Sequence, residues 1–259
     1  MNILDEIVAH KKEQLLIRKI MVPVDQVVDS IHFDAKCRSF VQSLLDKNKT
    51  GIIAEFKRKS PSRGFINKTA DVLEVTQAYT EAGASGLSVL TDSEYFGGSN
   101  DDLVSARKNE IPILRKEFII DPYQILTTKA IGADAILLIA AILSPRQVQN
   151  FAESAKKLGL EVLLEIHDES ELGHICDEVD MVGVNNRNLK NFKVDIQQSI
   201  DLCNKIPAGK IKIAESGISS PQVMKTLREA GFNGFLIGET FMKESNPGKA
   251  FENFIKQLN

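Results

Sequence analysis

From Ile52 onward the chain alternates short, β-rich apolar segments with longer stretches of helical period, and it does so eight times. The apolar segments fall at 52–56, 86–90, 113–115, 135–140, 161–165, 181–184, 211–214 and 235–237. Several, such as AILLIAA and FLIG, are unbroken apolar runs, the pattern of a parallel strand buried on both faces. The stretches VLEVTQAYTEAG, SPRQVQNFAESAKKLG and SPQVMKTLREAG space their apolar residues by three and four and close on a glycine. Ser144-Pro145 and Ser220-Pro221 each set a hydroxyl before a proline, a helix-start signal. This βαβα order implies a parallel sheet with helices outside it. Eight strands favour closure into a (β/α)8 TIM barrel over an open doubly wound sheet, whose glycine-rich nucleotide turn is missing. The length of 259 residues suits one barrel. The expectation is a single domain over 1–259, with a helical extension at 1–50, a barrel at 51–259 and FENFIKQL as its closing helix.

The extension is amphipathic, is broken around Val22-Pro23-Val24, and lies outside the repeat. It would either plug the apolar bottom of the barrel or contribute to the site, and the sequence leaves both open. Basic and acidic residues number 32 and 35 and are interspersed, so no basic face is offered to nucleic acid and a small-molecule ligand is expected. Cys37, Cys176 and Cys203 form no CxxC pair, which disfavours a disulfide framework or a cysteine-rich zinc site and fits a reducing cytosol. No leader-like apolar core and no bilayer-spanning run is present, so the expectation is a cytoplasmic protein without a membrane partner.

Active sites of β/α barrels lie at the C-terminal strand ends. In IIAEFKRKSPSRG, Glu55 and Lys57 are two apart and share a face. If that face is the lumen, the two charges offset each other's desolvation and leave Lys57 able to bind a phosphate or carboxylate; a rim ion pair is the structural alternative. ILRKEFIID sets Lys116 and Phe118 on one face, an amine beside a flat ring that suits an aromatic substrate, although Arg115 and Glu117 equally fit a solvated charge run. Glu165 in EVLLEIHDE follows apolar residues, and its desolvation predicts a raised proton affinity suited to acid–base work. His167 reads as a hydrogen-bonding support; the four histidines lack metal-cluster spacing, and no metal is expected. VGVNNRNL pairs Asn185 with Arg187, an amide and a guanidinium, with Asn186 facing the other way; a mere turn is the alternative. AESGIS and IGET place Ser216, Gly217 and Gly238 where barrels commonly bind phosphate, with a helix start near Glu239 adding its dipole and Glu239 expected to point away from the anion. Glu215 closes an apolar strand and needs a partner or a role.

Together IIAEFKRKSPSRGFI, LSVLTDSEYFGGS, ILRKEFIIDPYQI, EVLLEIHDE, VGVNNRNL, KIAESGI and GFLIGETFM resemble, in order, the segments of the indole-3-glycerol phosphate synthase family, and the resemblance spans nearly the whole chain. It implies conversion of 1-(2-carboxyphenylamino)-1-deoxyribulose 5-phosphate to indole-3-glycerol phosphate with loss of carbon dioxide and water, a cofactor-free step of tryptophan biosynthesis. Position by position it implies Lys116 as general acid, Glu165 as the residue assisting proton transfer in dehydration, Glu55 as a further catalytic carboxylate and Lys57 near the substrate's carboxylate and phosphate. Ser60, Phe118, Leu137, Asn185, Arg187, Glu215, Ser216, Gly217, Gly238 and Glu239 match the substrate-binding set, and Asn185 is counted among the catalytic residues as well.

The chemistry agrees, because attack of an aromatic ring on a ketone needs a cation to polarise and protonate the carbonyl oxygen, and dehydration needs an acid and a base. Which group serves which proton stays open. Three rivals remain. Phosphoribosylanthranilate isomerase would call for a cysteine at the first strand's end, and none is there. A Schiff-base aldolase would use Lys116 or Lys57 as nucleophile. A non-catalytic barrel would bind a sugar phosphate only, against which the intact Glu55, Lys57, Lys116 and Glu165 speak. A monomer fits the sequence, which says nothing of association with other enzymes of the pathway.

Overall fold

The computed structural model describes residues 3–187 and 195–258. Its strands β1 (Ile52–Phe56), β2 (Gly86–Leu90), β3 (Ile113–Lys116), β4 (Ala135–Ile139), β5 (Glu161–Ile166), β6 (Met181–Asn185), β7 (Ile211–Glu215) and β8 (Gly234–Ile237) form a closed barrel. Every neighbouring pair is parallel, and β8 returns to β1 with Ile53 opposite Leu236. The fold is thus the (β/α)8 barrel that the repeat implies.

The strands differ from the expected segments at their ends, and the differences concern the site. β3, β6 and β7 run one residue further than expected and so include Lys116, Asn185 and Glu215. A polar side chain does not stop a strand whose backbone still has a neighbour to bond. β4 stops at Ile139, and Ala140 opens a 3-10 turn instead of extending it. Between β5 and β6 the crossover is no α-helix but a 3-10 turn, Glu169–His174. The prolines act as expected: Ser144 and Ser220 cap helices that begin at Pro145 and Pro221, their hydroxyls accepting the amides of Gln147 and Val223.

Alternation along the strands divides the core in two. Ile52, Ala54 and Phe56 of β1 pack outward against the helices, whereas Ile53, Leu114, Leu137, Leu163, Met181, Ile213 and Leu236 fill the lumen.

The extension takes both of the roles left open by its sequence. It contains α1 (Ile3–Met21), α2 (Val24–Val28) and α3 (Phe40–Leu45). Phe40 and Leu44 of α3 belong to the lumen cluster. The backbone amides of Phe40 and Val41 donate to Glu161, the first residue of β5, at 2.7 and 3.1 Å, which puts α3 across the bottom. α1 lies at the opposite end, where its buried Lys11 reaches Asp92 at 2.7 Å and Glu117 at 3.0 Å in the loops after β2 and β3. No helix among the described residues is long and apolar enough to cross a membrane.

Candidate active site

The lumen changes character two residues above its apolar layer. Ile53 is followed by Glu55, Leu114 by Lys116, Leu163 by Glu165, Ile213 by Glu215 and Leu236 by Gly238, while β4 stays apolar through Leu137 and Ile139. Period-two geometry therefore turns an oily column into a ring of charge beside one apolar wall. All of the candidate catalytic and substrate-binding residues line a single pocket at this end: Glu55, Lys57, Ser60, Lys116, Phe118 and Leu137 from the first half, and Glu165, Asn185, Arg187, Glu215, Ser216, Gly217, Gly238 and Glu239 from the second. Asn188 and Leu189, which end the VGVNNRNL segment, lie outside the described residues.

Lys57 Nζ donates to Glu55 Oε1 at 2.6 Å, so the pair is a lumen pair and not a rim pair. Lys116 stands at the centre, with Nζ 3.3 Å from Glu165 Oε2 and 3.6 Å from Glu215 Oε2. Burial alone would strip its proton, but Glu165, Glu215 and Glu55 outweigh burial and hold the amine above the ordinary lysine range. The flanking charges are not solvated. Arg115 faces outward and is bonded to Thr91, Gln124, Thr128 and Asn100, and Glu117 pairs with Lys11 and accepts from Thr91.

Glu165 departs from expectation. Burial would raise its proton affinity, but Lys116, then the His167 ring, then the Asn185 amide at 2.9 Å hold it well below the usual carboxylate range. The raised carboxyl is Glu215, pushed up to about 8 by burial, against which Lys116 pulls only partly, while Glu165 and Glu55 add repulsion. Its side chain is 1% exposed, and neither oxygen has a hydrogen-bond partner among the described residues. Sequence reasoning missed its companion, Gly183: a Cβ there would lie 2.0 Å from Glu215 Oε1. Gly238 has the same explanation, since its Cβ would meet Glu55 Oε1 at 2.5 Å. A glycine inside a strand marks such a close approach.

On the far side, Ser216 and Gly217 take positive φ of 66° and 69°, and Asn186 Nδ2 donates to the Ser216 carbonyl at 2.7 Å. A left-handed serine is costly backbone that its surroundings must hold in place, and the buried Asn186 is the brace. The helix after β8, Glu239–Met242, is one turn long, so its dipole is weaker than the sequence suggested. Glu239 lines the pocket and is held by Arg63 at 3.0 Å and Arg187 at 3.3 Å, two cations that offset its charge. Arg187 also donates to Ser62 at 3.2 Å. Ser60, in the short hairpin after β1, is buried and its hydroxyl has no hydrogen-bond partner among the described residues.

The apolar wall pairs Phe118 with Phe96, ring centres 6.0 Å apart, and α1 adds Ile3, Leu4 and Ile7 to the mouth. Neither Phe96 nor the α1 residues carry a local signal that would set them apart from ordinary core. Among the described residues no group of three or more His, Cys, Asp or Glu side chains is disposed to hold a metal ion.

The model of the indole-3-glycerol phosphate synthase family matches residues 4–254. The chain is 48% identical over 258 residues to the indole-3-glycerol phosphate synthase of Bacteroides thetaiotaomicron, covering 99% of both chains. It is 41% identical over 252 residues to that of Bordetella pertussis, covering 95% of this chain and 96% of the other. Among solved structures, tryptophan synthase subunit alpha from Legionella pneumophila superposes with a TM-score of 0.61 at 14% identity, over 85% of this chain and 95% of that one. At that identity the likeness concerns the fold alone.

Proposed function

This chain belongs to the indole-3-glycerol phosphate synthase family, and from that premise we propose which of its residues carry the reaction. The enzyme is a carboxy-lyase of tryptophan biosynthesis that turns 1-(2-carboxyphenylamino)-1-deoxyribulose 5-phosphate into indole-3-glycerol phosphate, carbon dioxide and water. Lys116 is the general acid. The reading rests on one observation: a buried ammonium at the end of the lumen, 3.3 Å from the ionised Glu165 and standing beside an apolar wall.

The substrate's aromatic ring lies against Phe118 and Leu137, and Lys57 with Arg187 receives its anionic groups. The ring carbon bearing the carboxylate attacks the ketone, and Lys116 delivers a proton to the carbonyl oxygen as charge develops there. Departure of carbon dioxide returns its bonding electrons to the ring and leaves a neutral indoline. The hydroxyl then leaves with a proton from an acid, and Glu165, held ionised, takes the remaining ring proton. Glu55 orients Lys57, while Asn185 orients Glu165 and borders the reacting atoms. Ser60 and Glu215 bind substrate polar groups, and the loops at Ser216, Gly217, Gly238 and Glu239 receive the phosphate. A Schiff-base role for Lys116 is disfavoured, because that chemistry needs a free amine and this one is held as ammonium.

We also take residues 1–259 as one domain, 1–50 being the extension and 51–259 the barrel, because α1 shares in the pocket. The cytoplasm is the proposed compartment, supported by three free cysteines. Lys116→Ala is expected to cut turnover by at least about 10²–10⁴-fold, the usual worth of general acid catalysis, while leaving much of the substrate binding. Near-normal turnover would remove Lys116 from its role.

A further inference from the structure

Lys116 does not by itself decide which neighbouring carboxyl is acid and which is base, because Glu165 and Glu215 stand at nearly equal distances from it, 3.3 and 3.6 Å. Something else must break that symmetry. Two residues beyond Glu165 and just past the end of β5, His167 puts Nε2 3.2 Å from Glu165 Oε1. Its Nδ1 lies 3.4 Å from Glu171 Oε2, on the 3-10 turn that follows the strand. The same Glu171 oxygen accepts the His167 backbone amide at 2.7 Å, which fixes the turn against the ring.

Neither ring nitrogen makes an aligned hydrogen bond among the described residues, so the ring acts through its charge: a neutral imidazole offers neither carboxylate a counter-ion, whereas the imidazolium offers one to both. The charges that face the ring are Glu165 from β5 and Glu171 from the turn, with Lys116 from β3 and Glu215 from β7 across the pocket. Burial favours the neutral ring, but the two adjoining carboxylates prevail and push it up to about 10. Glu165 is therefore held from three sides, by Lys116 on Oε2 and by His167 and Asn185 on Oε1. Among the described residues Glu215 has only Lys116.

We propose that His167 is a positioning residue, an imidazolium strut between Glu165 and Glu171 that keeps Glu165 ionised as the proton acceptor and so leaves Glu215 as the protonated carboxyl of the pocket. This rests on the reading of Glu165 as the base of the dehydration. Glu171 does not line the pocket. Its function is to hold the ring charged.

The test is the pH dependence of kcat. In His167→Gln the acid limb moves up by about 1–3 pH units, the range an adjacent opposite charge imposes on a carboxylate, with KM little changed. His167→Lys, which restores the cation, moves the limb back toward that of the unmodified enzyme, whereas a packing role alone would not separate Lys from Gln. Glu171→Gln shifts it in the same direction by less. Should His167→Gln fail to fold, the unmodified enzyme answers: among four histidines, the His167 ring stays protonated on both nitrogens, by nitrogen-15 NMR, until about pH 10. An unmoved limb in folded His167→Gln, or a ring titrating like a free histidine, overturns the inference. Glu165→Gln separates the two ideas, since full activity there defeats the base reading itself, whatever the ring does.

Discussion

At the scale of single residues, the pocket works by unequal treatment of like groups. Three carboxyls surround one ammonium, yet one is held ionised and another is pushed up to about 8. Burial thus favours the protonated form of Glu215 at neutral pH. As pH rises through its value it loses the proton and adds a negative charge beside Lys116. The expected consequence is a fall in kcat/KM above about pH 8 that is missing in Glu215→Gln, whose amide donates at every pH; a pH–rate profile of the two proteins checks it, and an identical alkaline limb in both would contradict it. The candidates themselves were legible, because a polar residue two positions after a lumen-facing apolar one must enter the pocket: Glu55, Lys116, Glu165 and Glu215 all obey this. Their protonation was not. It depends on neighbours from other strands, so desolvation alone pointed to Glu165 as the raised carboxyl, while Lys116 and His167 reversed the sign there and left Glu215 with the burden of burial.

At the scale of elements, the extension is the instructive case. An amphipathic helix advertises that it will cover an apolar surface, but not which one, and this barrel offers two, the bottom of the lumen and the apolar wall at its mouth. The decision lies in contacts distant in sequence: Glu161 receiving the first amides of α3 below, and Lys11 entering between Asp92 and Glu117 above. Lys11→Met would leave the buried Asp92 without its cation and Glu117 with only the more distant Arg115, 3.7 Å away. Breaking such a buried pair costs about 3–5 kcal/mol, measurable as a lowered urea midpoint. Because α1 also supplies Ile3, Leu4 and Ile7 to the pocket mouth, KM is expected to rise as well. A destabilised variant with unchanged KM would show that α1 braces the barrel without helping to hold substrate. Gly183 belongs to this scale too, since it marks where β6 must approach β7 closely enough to seat Glu215. Gly183→Ala displaces that carboxyl and is expected to lower kcat/KM with less effect on stability than Lys11→Met.

At the scale of the whole molecule, the barrel brings strand ends scattered from Ile52 to Ile237 into one ring. Charge gathers over the lumen, an apolar wall over β4, and left-handed backbone at the loop after β7. The architecture was legible from periodicity because every strand must bury both faces, a demand that leaves its mark in each segment. Fold alone does not carry the chemistry: at 14% identity tryptophan synthase subunit alpha shares the architecture, and what differs between such barrels is the polar layer above the common apolar column. The central claim is that this layer closes and decarboxylates the anthranilate-derived ribulose phosphate. It is tested most directly by incubating the purified full chain with 1-(2-carboxyphenylamino)-1-deoxyribulose 5-phosphate and following indole fluorescence. The account predicts conversion to indole-3-glycerol phosphate that disappears in Lys116→Ala; correctly folded protein that yields no indole product would contradict it.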